Sequence, residues 1–228
     1  MPGPPYKAVV VGATGAVGSA LVRELLGSPR CTAVTVLVRR ATTMFAKTPG
    51  WEKLRVEVID FADLERRTAD LAAGHDAAFC TMGIGQPRKV PPQEFWRVDV
   101  EYAGAFARGA RAAGVHHLSL LSAFGAEERS HVRYSRVKGV AEATVLGAGL
   151  ARTSIFRPSL LVTREIRYGL QDRLSQALVP LVSPLLPSRF HQIRVEDLGR
   201  AMRLNAEQGG PDGREVLYYR ECMALLAA

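Results

Sequence analysis

Short apolar runs alternate with amphipathic stretches along the chain. Val9-Val10-Val11 is a continuous β-branched run, and Ala20, Leu21, Val22, Leu25 and Leu26 then recur at helical spacing. The first pattern predicts a strand buried on both faces, and the second a helix packed on it. Residues 33–40 (AVTVLVRR) predict a second buried strand, and 54–59 (LRVEVI) a third, ended by Asp60-Phe61. Helical spacing returns over 63–73, before a fourth strand at 77–82 that ends in Gly83 and Gly85. A proline-rich loop leads to a long helix over about 93–113, stopped by Gly114. Residues 115–122 hold a fifth strand, 134–146 a helix and 153–156 a sixth strand.

Alternation this regular implies an α/β fold, a Rossmann-like doubly wound parallel sheet with helices on both faces. No repeat or linker divides the chain, so one domain is expected over residues 1–228. The C-terminal part is less regular. Leu170–Leu186 is apolar but broken by Pro180 and Pro184, with Pro187 just beyond. The segment at about 165–190 reads as a small lid or substrate region, a partner surface, a shallow membrane contact, or packing against the sheet edge. Residues 193–204 then predict a short strand and a capped helix, and 216–219 a last strand.

The junction of the first strand and helix carries Gly12-x-x-Gly15-x-x-Gly18. Such a turn aims backbone N–H groups and a helix N-terminus at one spot, where a pyrophosphate can sit. Gly12 permits the tight turn, Gly15 lets the backbone approach phosphate, and Gly18 lets the helix lie close to the strand. The second strand ends in Arg39-Arg40. An acidic residue there would accept from the ribose 2′-hydroxyl of NAD, whereas a guanidinium matches a 2′-phosphate. The expected cofactor is therefore NADP(H). Asp60 and Phe61 fall at the adenine edge, with helix capping the alternative role for Asp60.

Composition narrows the setting. The chain has 228 residues, 47% of them hydrophobic, enough for a globular core. Cys31, Cys80 and Cys222 are far apart and make neither metal spacing nor an even disulfide set, so no metal site is expected. Met1–Pro5 does not read as a signal peptide, and no run of about 18 apolar residues predicts a spanning helix. A cytoplasmic location is the expectation. The net charge of +8 is spread along the chain without a basic run, so no nucleic-acid partner is expected. His116-His117 lacks further ligands at metal spacing.

A second constellation is Tyr134-Ser135-Arg136-Val137-Lys138. Tyr and Lys four apart share a helix face. An ammonium beside a phenol favours the phenolate and allows proton exchange near neutral pH. The lysine also suits hydrogen bonding to ribose hydroxyls. Ser122, at the end of the fifth strand, is placed to hold a substrate carbonyl oxygen. Gly12, Arg39, Gly83 and Ser122 all fall at strand ends, the edge where open parallel sheets bind ligands. Arg157 is either a phosphate anchor or half of an ion pair.

The glycine turn, Ser122 and Tyr134-x-x-x-Lys138 resemble the short-chain dehydrogenase/reductase superfamily. Gly74-His75-Asp76, Phe95-Trp96-Arg97-Val98-Asp99, Leu120-Leu121-Ser122, Val137-Lys138-Gly139 and Phe156-Arg157-Pro158 are similar to its atypical branch, the one containing the HIV Tat-interacting protein oxidoreductase. The resemblance spans about residues 8–200. It implies a Rossmann fold that binds NADP(H), with Thr14, Gly15, Ala16 and Val17 in the phosphate loop. It also implies Arg39 and Arg40 at the 2′-phosphate, Met82 and Gly83 on the nicotinamide side, Tyr134 as proton donor or acceptor and Lys138 at the ribose. Ala123 stands where that branch carries a second serine, and Asp99 where superfamily members carry an asparagine. These departures bear on turnover more than on cofactor binding.

Three functions fit. The first is an NADP(H)-dependent reductase of a carbonyl-like small molecule. The others are an epimerase-like enzyme with tightly held cofactor, and an NADPH-sensing protein that recruits a protein partner through residues 170–187. A monomer or a homodimer suits each.

Overall fold

A computed structural model describes residues 4–162 and 191–227 of the chain. The apolar segment at about 165–190 lies outside the described residues. The elements run β1 (Tyr6–Val11), α1 (Ala16–Gly27), β2 (Cys31–Val38), β3 (Leu54–Val58), α2 (Leu64–Leu71) and β4 (Ala77–Cys80). Next come α3 (Pro92–Trp96), one π-helical turn (Arg97–Glu101), α4 (Tyr102–Ala112), β5 (His117–Leu121), α5 (Arg133–Leu146) and β6 (Arg152–Phe156). The last are β7 (Leu160–Val162), β8 (Gln192–Arg194), α6 (Val195–Gln208), β9 (Gly213–Leu217) and α7 (Tyr219–Ala227).

Seven strands form one sheet in the order β3-β2-β1-β4-β5-β6-β9, and every neighbouring pair is parallel. This is the doubly wound α/β fold that the alternation predicts. Because the strands are parallel, their C-terminal ends share one edge. The chain reverses its winding direction between β1 and β4, the place where open parallel sheets bind ligands.

The continuous apolar runs are explained by burial on both faces. Ala8 and Val10 of β1 pack with Leu21, Val22 and Leu25 of α1 and with Leu198 and Met202 of α6. Val9 and Val11 face the other way, toward Leu64 of α2 and Phe106 of α4. A smaller cluster of Phe95, Val100, Val137 and Ala141 ties the π-turn to α5.

Three local readings differ from the sequence pattern. The helix expected over 93–113 contains the π-turn, which admits an extra residue without breaking the apolar stripe. The last strand begins at Gly213, earlier than its apolar residues suggest, because an edge strand tolerates Arg214 and Glu215. The chain then forms α7 instead of ending in a strand. The short strand expected from residue 193 is β8, whereas its parallel partner β7 is an element the pattern did not predict.

The opposite edge of the sheet holds a polar network. His117 Nε2 and Ser154 Oγ lie 2.7 Å apart, and Ser154 Oγ donates to Glu215 Oε1 at 2.6 Å. Arg152 pairs with Glu215 at 2.7 Å. Burial, with the nearby Arg152 charge, pushes the His117 imidazole down to about 3. The unfolded chain therefore binds a proton near pH 6.5 that the folded chain refuses. Folding stability should fall as pH drops below about 6.5 and level off only near the folded value. The expected loss is about 2 kcal/mol between pH 6.5 and pH 5. Urea unfolding at the two pH values measures it. His117→Gln, which keeps a polar partner for Ser154, should flatten the dependence; an equal slope in both proteins would refute the assignment.

Candidate active site

The glycine turn follows β1 directly. Gly12 has φ +82°, a conformation that L side chains rarely adopt, and a Cβ there would stand 2.5 Å from the Met82 nitrogen. A Cβ on Gly18 would meet the Gly12 carbonyl oxygen at 2.1 Å, so only glycine lets α1 sit this close to the turn. The Gly15 amide donates to Gly12 O at 3.0 Å and closes the loop. Helix α1 then starts with no side chain capping it and no acidic residue in its first turn. Its first amides therefore face outward with their positive partial charge uncompensated. Thr14 and Gly15 are exposed, Ala16 is half-buried, and Val17 and Gly18 are buried under the helix. These features fit a dinucleotide pyrophosphate.

Arg39 and Arg40 follow β2 and are exposed. The Arg39 guanidinium lies 5.8 Å from the centre of the Phe61 ring, and neither arginine forms an ion pair with a described residue. Arg39, Val58, Ile59, Asp60, Phe61 and Tyr102 line an open cleft of about 410 Å³. Asp60 uses one carboxylate oxygen to accept from the Ala62 amide at 2.9 Å, capping the turn that opens α2. Both roles considered for Asp60 are thus compatible with its position.

Past β4 the chain passes Met82 and Gly83 beside α5. A Cβ on Gly83 would stand 3.1 Å from Lys138 Nζ and 3.2 Å from Asp99 Oδ1. Lys138 is buried, and its ammonium pairs with Asp99 Oδ1 at 2.6 Å. The other Asp99 oxygen accepts from the Ile84 amide at 2.9 Å. Burial alone would push the lysine down from its usual range. Asp99, then Tyr134, more than offset that cost and hold the amine above the usual lysine range. Tyr134 opens α5, is 37% exposed, and stacks on Phe95 with ring centres 6.0 Å apart.

Ser122 and Arg157 meet at one buried carboxylate. The Ser122 hydroxyl donates to Glu142 Oε1. Arg157 grips the same carboxylate through Nε at 2.9 Å and Nη2 at 2.5 Å, and donates to the Tyr218 hydroxyl at 3.0 Å. Of the alternatives for Arg157, the structure shows the ion pair. The physical reason is Glu142, a buried carboxylate that needs partners. It lies one turn beyond Lys138 on α5, so Tyr134, Lys138 and Glu142 sit at i, i+4 and i+8. That spacing was the one signal that could have revealed Glu142. Nothing local pointed to Tyr218.

The histidine pair stays outside this edge. His117 joins the network at the other end of the strands, and His116 pairs with the exposed Asp212 at 3.0 Å.

A glycine turn under a parallel sheet, with a Tyr/Lys helix at the same edge, defines an NAD(P)-binding Rossmann protein of the short-chain dehydrogenase/reductase and epimerase/dehydratase kind. The NAD(P)H-binding family model matches residues 12–169, and the chain belongs to that family. The rat protein HTATIP2 is 37% identical over 153 residues, spanning 67% of this chain and 62% of its own length. A protein named fmp52, mitochondrial, from Aspergillus fumigatus is 32% identical over 155 residues, with 67% and 65% covered. Among solved structures, vestitone reductase from alfalfa superposes with a TM-score of 0.68 at 20% identity, covering 93% of this chain and 76% of that one.

One expectation is overturned by these relatives. The cytoplasmic location does not stand, because fungal relatives from several species are named mitochondrial proteins. Among the described residues, no helix is long and apolar enough to cross a membrane.

Proposed function

We propose that the chain is an NADP(H)-dependent reductase of a carbonyl-like small molecule. The observation that carries this reading is the meeting of Gly83, Lys138 and Asp99 beside the glycine turn, with Tyr134 one helical turn away. Gly12 packs on the Met82 amide, so the phosphate loop and the Gly83 segment are held as one unit. In this reading the exposed amides of α1 hold the pyrophosphate, Arg39 and Arg40 the 2′-phosphate, and Phe61 the adenine side. When bound, the dinucleotide supplies the hydride. Lys138 donates to ribose hydroxyls, and the Tyr134 hydroxyl gives its proton to the substrate oxygen. Ser122, with its proton committed to Glu142, positions the end of β5 under the site.

That commitment also supports the second reading, an NADPH-binding regulator with little turnover. With Ala123 beside it, the site has fewer donors for a developing oxyanion than a serine pair would give. NADPH oxidation over a panel of aldehydes and ketones separates the two. Turnover supports the reductase; tight NADPH binding with no turnover on any member supports the regulator.

Cofactor choice has its own test. Arg39→Ser should weaken NADPH binding by about tenfold or more, by removing a charge-assisted partner of the 2′-phosphate. NADH binding should change little. Fluorescence titration of both cofactors reads this. Equal weakening of the two would assign Arg39 to the adenine face instead, and tighter binding of NADH by the unmodified protein would refute NADP(H) specificity.

A further inference from the structure

The π-turn between α3 and α4 carries a buried acid into an apolar neighbourhood. Phe95, Val100, Val137 and Ala141 surround this part of the fold, yet Asp99 is only 3% exposed among them. An isolated carboxylate in such a place is costly, and here both oxygens are used. One faces Lys138 Nζ at 2.6 Å, and the other accepts from the Ile84 amide at 2.9 Å. Arg97 and Glu101, at the two ends of the same turn, are exposed. The turn thus places one acid inward, toward the lysine and the segment after β4.

We infer that Asp99 is a positioning residue that keeps Lys138 charged and clamps it to the Gly83–Ile84 segment, so that its remaining protons point at the dinucleotide ribose. The inference rests on the reading of Lys138 as the ribose donor. An ammonium has three N–H bonds and no acceptor. One N–H is spent on Asp99, which leaves two for the paired ribose hydroxyls.

The groups facing Lys138 are few. Asp99 reaches it from the π-turn, Tyr134 from its own helix and Cys80 from β4. Burial pushes the Cys80 thiol up to about 12, so it stays neutral across the working range. With Asp99 made neutral, burial is the largest effect on the lysine and favours the uncharged amine. An uncharged amine is a weaker donor, so dinucleotide binding should become pH-dependent.

Asp99→Asn keeps the shape and an acceptor for the Ile84 amide but removes the charge. In the unmodified protein, NADPH affinity should stay nearly level between about pH 7 and pH 9, above the range in which the 2′-phosphate itself titrates. In Asp99→Asn it should fall with rising pH, by about tenfold or more across that range. Asp99→Glu, which restores the charge, should recover most of the level profile. A purely structural role for Asp99 would weaken binding equally at every pH, and parallel profiles for Asp99→Asn and the unmodified protein would overturn the inference.

A second readout needs no cofactor. Nitrogen NMR of lysine-labelled protein, with Lys138 assigned by its loss in Lys138→Met, follows the ammonium directly. Its signal should persist beyond about pH 9 in the unmodified protein and vanish at lower pH in Asp99→Asn. If NADPH fails to bind the unmodified protein, the proposed function fails and this titration still decides on Asp99. If Asp99→Asn does not fold, the unmodified protein decides alone: persistence of the signal supports the clamp, and discharge below about pH 9 overturns it.

Discussion

Replacing Tyr134 with phenylalanine should lower kcat for carbonyl reduction by about a hundredfold to ten-thousandfold, the range that general acid catalysis contributes. The substitution deletes one oxygen and little else. The ring stacks on Phe95 nearly parallel, at 6.0 Å, and phenylalanine preserves that stack. The hydroxyl makes no hydrogen bond that the fold depends on among the described residues. NADPH affinity and melting temperature should therefore stay close to those of the unmodified protein. Steady-state kinetics and a fluorescence titration on the same preparation read both quantities. Undiminished kcat in Tyr134→Phe would remove the phenol from the chemistry, whatever happened to binding.

The other large effect is structural. Glu142→Ala should destabilise the fold by about 3–5 kcal/mol, the usual cost of removing one partner of a buried pair. Arg157 would lose two charge-assisted bonds and keep one to Tyr218, while Ser122 would lose its acceptor. For a chain of this length that corresponds to a melting temperature lower by about 10 °C. Glu142→Gln should cost less, since an amide still accepts from Ser122. The double change Glu142→Ala/Arg157→Met should recover part of the loss, because no unpaired charge then remains buried. Calorimetry on the three variants tests this; a melting temperature for Glu142→Ala within about 2 °C of the unmodified protein would show the pair to be marginal.

Much of the cofactor edge could be read from the chain because its determinants are local. A β-branched run, three glycines and an apolar helix repeat lie within twenty-odd residues, and the geometry at Gly12 and Gly18 is what their spacing requires. Tyr134 and Lys138 were legible for the same reason, since four residues along a helix fix a shared face. The partners of Ser122 and Arg157 were not. Glu142, Arg157 and Tyr218 come from α5, the end of β6 and the end of β9, and only the assembled sheet brings them together. Asp99 stood out in the sequence as a departure from the superfamily, but its partner did not. A continuous helix over 93–113 fits the same apolar spacing as one interrupted by a π-turn, and in the structure Asp99 is buried within that turn. The position of β9 escaped because Arg214 and Glu215 hide an edge strand behind polar residues.

The order in which the ribosome releases these pieces follows from the placement of β9. Arg152 and Ser154 emerge early, but the carboxylate that satisfies them, Glu215, belongs to the last strand of the sheet. Until that strand has left the exit tunnel, a nascent chain carries the Arg152 guanidinium without its carboxylate and β6 without its neighbouring strand. Synthesis stalled short of Glu215 would leave a species for chaperones to shield, and the completion of the sheet is accordingly a late event in the life of the nascent polypeptide.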